Sequence, residues 1–509
     1  MTLAEQRRSY IPKIPTFLQQ LHNVRCEPLS DNPQISSEIK AQFSHLQSTN
    51  YRLVSGLEKR NSPLKVGVVF SGGPASGGHN VLTGLFDALR QMHKESKLIG
   101  FIGGFSGLLE QRYITLSEVQ IESVRNQGGF DLIGTGRTKL ETKSDLDKVH
   151  TALEYLDALV VIGGDDSNTN AAVLANYLLS VGSKTSIIGV PKTIDGDLRS
   201  KEIEVSFGFD SACKTYAELI GNICKDALST RKYYHFIKLM GRSASHIALE
   251  CALLTQPNLT LIGEEKKSLE QCVHAIVDLI IRRQKAGKEF GVIVVPEGLI
   301  EFIPEIDKLL KALASNKLGP DEKVTWDHLP EKIKTQLMTQ KDPHGNIKVS
   351  QISTEELLIE LVKKELSKRN FSGNFDCQHH FFGYEGRCCL PTNFDANYAY
   401  SLGRLAAIGV RDGKSGVICA MRCLHKRPEE WIPMLTSLLP LLKLEERSGC
   451  KRVVIAKTLV DLRGPAFLQF AQIRASLAID DQYQFPGPIQ FFGNESSVDS
   501  GPLFLQIKF

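Results

Sequence analysis

Residues 65–92 read KVGVVFSGGPASGGHNVLTGLFDALRQM, and this stretch decides the fold. Val66–Phe70 is a short apolar run rich in β-branched residues, Ser71–Gly78 is glycine-rich, and Val81–Met92 has the pattern of a helix. Together they predict a strand, a tight turn and a helix. A strand without polar alternation buries both faces, which belongs to a parallel sheet covered by helices on two sides. The same order recurs along the chain. Ala158–Ile162 leads into Gly163–Asp166 and a helix to about Leu179, and Ser186–Val190 leads into Pro191–Asp197. His235–Met240 leads into Gly241–Arg242 and a helix to about Leu254; Gly291–Val295 leads into Pro296–Gly298; Gly416–Met421 is a further buried strand. The expected class is α/β. In such folds ligands bind where loops leave the carboxyl ends of strands, and the glycines and charged residues here fall at those ends.

The chain has 509 residues, enough for two or three packed units without disulfides or metal staples. Lys and Arg number 61 against 57 Asp and Glu, a net charge of +4, which gives no global reason to expect nucleic acid or an anionic membrane as partner. Met1–Ser30 is punctuated by Arg7, Arg8, Pro12, Lys13 and Pro15 and has no apolar core of a signal sequence, and no run reaches the length of a membrane span. The 11 cysteines include no C-x-x-C pair, so reduced thiols in a cytoplasmic protein are expected.

Three loops could carry chemistry. The glycines of Ser71–Gly78 let main-chain N–H groups approach an anion at a helix start, although such turns also serve packing alone. The loop is no P-loop, because His79 and Asn80 follow Gly78. Gly413-Lys414-Ser415 has the P-loop ending, but only three residues separate Gly409 from Gly413. The G-x-G-x-x-G fingerprint is absent after the strands, which counts against dehydrogenases as well. In Gly163–Asn170, the adjacent carboxylates Asp165 and Asp166 call for a cation or donors, and magnesium carrying phosphate oxygens would supply one. Helix capping by Asp166 or Ser167 is the plainer reading of one of these residues. Pro191–Asp197 offers a carboxylate, Asp195, and a cation, Lys192, the pair that phosphoryl transfer to an alcohol requires. A structural Asp–Gly turn is its alternative. Met240-Gly241-Arg242, Pro296-Glu297-Gly298 and Tyr384-Glu385-Gly386-Arg387 add strand-end polar groups of the mix a sugar phosphate needs.

Together and in this order, from about Lys65 to the C-terminus, these motifs resemble the phosphofructokinase family, with an insertion as in its long subgroup. Gly163-Gly164-Asp165-Asp166-Ser167 stands where ATP-dependent members carry Gly-Gly-Asp-Gly-Ser, and Pro191-Lys192-Thr193-Ile194-Asp195 where they carry Pro-Gly-Thr-Ile-Asp. The resemblance is therefore to the pyrophosphate-dependent members, and closely to the catalytic beta-type chain of the plant enzyme. It implies reversible transfer of a phosphoryl group from diphosphate to the 1-hydroxyl of fructose 6-phosphate, in glycolysis or gluconeogenesis. An ATP-dependent enzyme and a non-catalytic regulatory subunit are the alternatives.

The resemblance also implies residue roles. Asp195 is the base, Asp165 the Mg2+ ligand, and Gly72, Gly73 and Lys192 the diphosphate site. Arg137 reaches the transferring group, and Asp166 repels a nucleotide's α-phosphate by about 4 kcal/mol at 4 Å and an effective dielectric near 20. Thr193, Ile194, Asp195, Asp197, Met240, Gly241, Arg242, Glu297, Tyr384, Glu385, Gly386 and Arg387 hold the sugar phosphate. Lys232 and Tyr233 serve a neighbouring subunit, implying a homodimer, a homotetramer or a mixed oligomer with a related regulatory chain. Ser76 departs from the family's usual proline, and Cys377-Gln378-His379-His380 offers no arginine where ATP enzymes have one.

The implied fold is two Rossmann-like three-layer domains. Residues 65–209, completed by about 385–460, form the first domain, for diphosphate and Mg2+. Residues 210–384 form the second, for fructose 6-phosphate, including a mostly helical insertion at about 302–370. Residues 1–64 are expected to be a surface extension ending in the polar stretch Glu58–Pro63, and residues 461–509 to return to the second domain.

Overall fold

The computed structural model describes residues 1–30, 33–56, 62–242, 244–315, 317–340, 351–447 and 450–507. Most of the polar stretch 58–63 and part of the insertion, residues 341–350, therefore lie outside the described residues. The strands in chain order are β1 (Val24–Pro28), β2 (Tyr51–Ser55), β3 (Lys65–Ser71), β4 (Lys97–Phe101), β5 (Tyr113–Thr115), β6 (Ala158–Gly163) and β7 (Ser186–Pro191). They continue with β8 (Tyr234–Leu239), β9 (Leu259–Thr260), β10 (Gly291–Pro296), β11 (Cys377–Phe382), β12 (Val417–Arg422) and β13 (Ile432–Ser437). Residues Leu442–Arg447 and Cys450–Ile455 add a two-stranded ribbon.

The chain divides into two units. The first comprises Met1–Ala212, Arg387–Thr458 and Gln490–Gly501; the second comprises Cys213–Gly386, Leu459–Ile489 and the residues from Pro502. The sheet of the first runs β1-β2-β13-β12-β7-β6-β3-β4-β5, parallel from β12 through β4 and antiparallel towards both edges. Its central strands β6 and β7 are buried at every position, as their unbroken apolar runs require. Helices Lys143–Leu153 and Asp165–Ser180 share an apolar core with Val69, Val161, Ile187 and Ile418. Helices Gly78–Met92 and Asn393–Arg411 pack on each other so closely that a Cβ at Gly84 would stand 2.1 Å from the Tyr400 carbonyl oxygen.

The N-terminal segment is not a mere surface extension. β1 and β2 pair, and β2 joins β13 through Arg52 with Met434 and Tyr51 with Leu435. The Arg404 side chain anchors the segment further by donating to the Leu18 carbonyl at 2.9 and 3.0 Å. Short strands of uneven burial carry little sequence signal until a sheet edge receives them. Residues 490–501, expected in the second domain, belong to the first unit. Asn393 Nδ2 donates to the Phe491 carbonyl (3.2 Å), Lys13 pairs with Asp499 (2.6 Å), and the buried Arg7 guanidinium lies 4.2 Å from the Phe491 ring centre.

In the second unit β11-β8-β10-β9 form a parallel sheet. Helices Leu269–Lys285 and Thr354–Lys368 cover it around Phe236, Ile276, Ile293, Val295, Leu358 and Val362. The described parts of the insertion are mostly helical: Pro304–Ala314, Pro320–His328, Glu331–Thr339 and Thr354–Lys368. A buried ion pair joins it to β8, with Lys238 Nζ 3.2 Å from Glu355 Oε2 and donating to the Ile352 carbonyl at 2.9 Å. The ten cysteines whose side chains are described are free thiols, and among the described residues no helix is long and apolar enough to cross a membrane.

Candidate active site

Strand register assembles the first group of residues. Ser71 of β3 pairs with Gly163 of β6, and Gly163 pairs with Pro191 of β7, so three carboxyl ends lie in one row. The chain leaves β3 for β4 on one side and reaches β6 on the other, so this row sits at the switch point where open α/β sheets bind ligands. The loops after those ends are 72–78, 164–166 and 192–197. The Lys192 main-chain N–H donates to the Gly163 carbonyl at 3.0 Å, tying the second loop to the third.

Gly72 has φ +87°, and a Cβ there would lie 3.2 Å from Lys192 Nζ, so a side chain would meet strain and crowd the ammonium. Its N–H was expected to face an anion. Instead it donates to the Gly136 carbonyl at 2.8 Å, while the Thr135 hydroxyl donates to the Gly72 carbonyl at 2.7 Å. Gly72 thus holds the Gly134–Arg137 segment against the loop and leaves the exposed Arg137 beside it. Ser76 replaces the expected proline with a tether, its hydroxyl donating to the Cys389 carbonyl at 2.6 Å.

Lys192 is 6 % exposed. Burial, opposed by Asp195 and Asp165 and reinforced by Arg387 and Arg137, lowers its pKa from 10.5 to about 8. Asp165 moves the other way. Burial raises its pKa, the charge of Lys457 opposes the rise, and Asp166 and Asp197 add to it. Neither Asp166 nor Ser167 caps the helix Asp165–Ser180. The N-cap is Gly164 without a side-chain bond, which removes the capping reading. The exposed Asp166 instead pairs with Lys139 at 3.2 Å. Both carboxylates occupy the first turn, where the helix dipole favours negative charge.

Within the third loop the Asp195 N–H donates to Thr193 Oγ1 at 3.0 Å, and the Thr193 hydroxyl donates to Asp197 Oδ1 at 3.2 Å. Asp197 is buried and its carbonyl accepts the Thr458 N–H at 2.8 Å. Ile194 is buried too, so only its main chain remains for a ligand. Asp195 itself is partly exposed.

A buried network supports this group from behind. Asp395 accepts from Gly208 N–H (3.0 Å), Ser211 N–H (2.8 Å) and Ser211 Oγ (2.6 Å), and the Thr392 hydroxyl donates to Asp210 at 2.6 Å. Burial and the neighbouring Asp210 push the Asp395 carboxyl well above the usual carboxylate range. Phe207, next to Gly208, bridges to Lys192, so the network steadies the third loop.

The second group lies in the other unit, where Leu239 of β8 pairs with Phe382 of β11 and Pro296 of β10. Beyond those ends, the Met240 N–H donates to the Phe382 carbonyl at 3.0 Å, and Gly241, at φ +138°, donates to Glu297 Oε2 at 3.4 Å. Glu297 is fully buried, whereas Arg242, Tyr384 and Glu385 are exposed. Glu385 accepts the Gly383 N–H at 2.7 Å, and a Cβ at Gly386 would stand 2.5 Å from the Tyr216 ring, which fixes the turn.

One expected placement differs. Arg387, read with the sugar-phosphate residues, belongs to the first unit, and a Cβ on Gly73 would be 3.6 Å from its Cζ. Its guanidinium therefore stands over the glycine loop beside Lys192. Lys232 and Tyr233 precede β8, whereas Met240–Arg242 follow it. Seven strand steps at about 3.3 Å put Tyr233 roughly 23 Å from Met240, so the two do not serve one site within a chain. Tyr233 holds φ +67°, an uncommon backbone state for a residue with a side chain.

Lys139 and Lys457 were not singled out from sequence. Lys139 could have been found two residues after Arg137 in the same loop, but Lys457, after the ribbon, carries no local signal. Among the described residues no cluster of three or more His, Cys, Asp or Glu side chains forms a metal cage. The donor set fits a magnesium ion that brings its own phosphate oxygens: one carboxylate, Asp165, at the start of its helix, with Asp166 and Asp197 adding negative charge around it.

Residues 65–409 match the profile described as Phosphofructokinase. The chain is 43% identical over 538 residues to "Pyrophosphate--fructose 6-phosphate 1-phosphotransferase" of Porphyromonas gingivalis, covering 99% of this chain and 98% of the relative. It is 48% identical over 468 residues to the beta 1 subunit of the same-named Arabidopsis thaliana enzyme, covering 87% and 83%. Among solved structures, the pyrophosphate-dependent phosphofructokinase of Nitrosospira multiformis aligns with a TM-score of 0.58 at 17% identity over 87% of this chain and 98% of that one, a likeness of fold.

Proposed function

The chain belongs to the phosphofructokinase family, and from that premise we propose how it works as a pyrophosphate–fructose 6-phosphate 1-phosphotransferase. The bond between a diphosphate phosphorus and its bridging oxygen breaks, a bond to the sugar 1-oxygen forms, and phosphate leaves. Asp195 takes the hydroxyl proton. Its partial exposure and the Thr193 contact to its N–H hold the carboxylate at a loop tip, free to reach a substrate. Lys192, Arg137 and Arg387 offset charge on the donor as the bridging bond weakens. The observation that carries this reading is the Lys192 ammonium 3.2 Å from a Cβ position on Gly72, in the strand-end row that also bears Asp165 and Asp166.

Magnesium, held by Asp165 and by phosphate oxygens, would neutralise charge on the diphosphate when bound. Asp166 excludes a nucleotide. Lys139 partly offsets its charge, so the exclusion rests on the space the carboxylate fills as much as on repulsion. Met240, Gly241, Arg242, Glu297 and the Tyr384–Gly386 turn hold fructose 6-phosphate. Lys232 and Tyr233 complete the site of a second subunit, which makes the working enzyme at least a dimer, and we place it in the cytoplasm.

Steady-state rates with diphosphate and with ATP, each with and without Mg2+, test the reading. Turnover with diphosphate alone is expected, and a preference for ATP would overturn it. Asp166→Gly should admit ATP; unchanged selectivity would remove Asp166 from donor choice. Light scattering on the active protein should give a dimer or larger, and an active monomer would refute the role of Lys232 and Tyr233.

A further inference from the structure

The segment after the ribbon is stitched to both acidic loops of the first group. The Ile455 N–H donates to Thr169 Oγ1 at 3.2 Å, and the Thr169 hydroxyl donates to the Asp165 carbonyl at 2.9 Å. Two residues past Ala456, the Thr458 N–H donates to the Asp197 carbonyl at 2.8 Å and its hydroxyl to the Arg199 carbonyl at 3.1 Å. Lys457 is thereby fixed between the start of the Asp165 helix and the Asp195 loop. It is half-buried, and among the described residues it forms no ion pair within 4.0 Å. Of the charges acting on Asp165, its own is the strongest, ahead of Asp166 and Asp197.

A half-buried lysine buries its stem and leaves its ammonium available to an anion. The charge count explains what it is for. Asp165, Asp166, Asp195 and Asp197 gather four carboxylates around a site meant for a highly charged anion. Lys139 answers Asp166, and Lys192, Arg137 and Arg387 stand on the side of the glycine loop. Lys457 is the cation on the Asp165 side.

We propose that Lys457 contacts the bound diphosphate from the Asp165 side, as a second donor-site lysine opposite Lys192. This rests on the reading of diphosphate as donor. The residue comes from a segment some 260 positions after Lys192 in the chain, so diphosphate would join two sequence-distant parts of one unit.

Isothermal titration of the full chain with diphosphate in Mg2+ tests it. Lys457→Met should weaken diphosphate roughly tenfold or more, and raise the KM for phosphate as substrate of the reverse reaction, with the KM for fructose 6-phosphate unchanged. Lys457→Arg should restore most of the affinity. Diphosphate affinity within twofold of wild type in Lys457→Met would overturn the proposal. So would an equal loss for both substrates together with a lowered melting temperature, which would make Lys457 structural. Wild-type protein that ignores diphosphate would overturn the functional reading and this inference with it, and that failure is visible without any variant.

Discussion

Raising the pH through 8 should switch off the donor side of this enzyme before the acceptor side. Lys192 is buried, and the fall of its pKa from 10.5 to about 8 means that holding the charged form in place costs about 3 kcal/mol. In the free enzyme about nine in ten molecules carry the charge at pH 7, and only about one in ten at pH 9. The kcat/KM for diphosphate should therefore fall close to tenfold per pH unit above 8. Bound diphosphate, an anion, raises the lysine pKa again, so kcat should decline at a higher pH than kcat/KM. Diphosphate loses a proton of its own in this range, so Lys192→Arg is the control, because its guanidinium stays charged. The assay is initial rate against diphosphate at fixed saturating fructose 6-phosphate from pH 6.5 to 9.5. If Lys192→Arg is active and declines at the same pH as wild type, titration of Lys192 is not the cause and the reasoning fails. Stability should move oppositely: the unfolded chain holds this proton up to about 10.5 and the folded one only to about 8. The contribution of Lys192 to stability therefore rises with pH across that window.

Asp195→Ala should lower kcat by several powers of ten while fructose 6-phosphate binding, followed by calorimetry, changes little; a fast mutant would remove Asp195 as the base. The raised pKa of Asp395 gives native stability that is greatest below the ordinary carboxylate value of about 3.9 and declines as pH climbs towards the raised one. Asp395→Asn keeps an acceptor for only one of the two oxygen positions that Gly208 and Ser211 use, so it should lower stability while flattening that decline in melting experiments; an unchanged slope would place the titration elsewhere.

Much of the donor group was legible because chemistry and local structure coincide there. Lys192, Thr193 and Asp195 share one loop, Asp165 and Asp166 share one helix start, and each follows an unbroken apolar strand that can only be interior. Motif spacing was enough to assign the family. The exposed Asp166 shows the limit, since a carboxylate at a helix start reads equally as a cap until Gly164 is seen in that position and Lys139 is seen beside it.

By itself the sequence determined the strand–loop–helix order, the residues at the strand ends and the motif positions, Asp166 and Lys192, proposed above to select the donor, because these depend on neighbours a few positions away. Register and long-range contact decided the rest. Ser71, Gly163 and Pro191 become adjacent only through pairing of β3, β6 and β7, and Arg387 reaches Gly73 across more than half the chain. The pairing of β2 with β13, the return of Phe491 to Arg7 and the tie of the segment before Lys457 to the Asp165 helix have no local signature, because each is fixed by a partner hundreds of residues away.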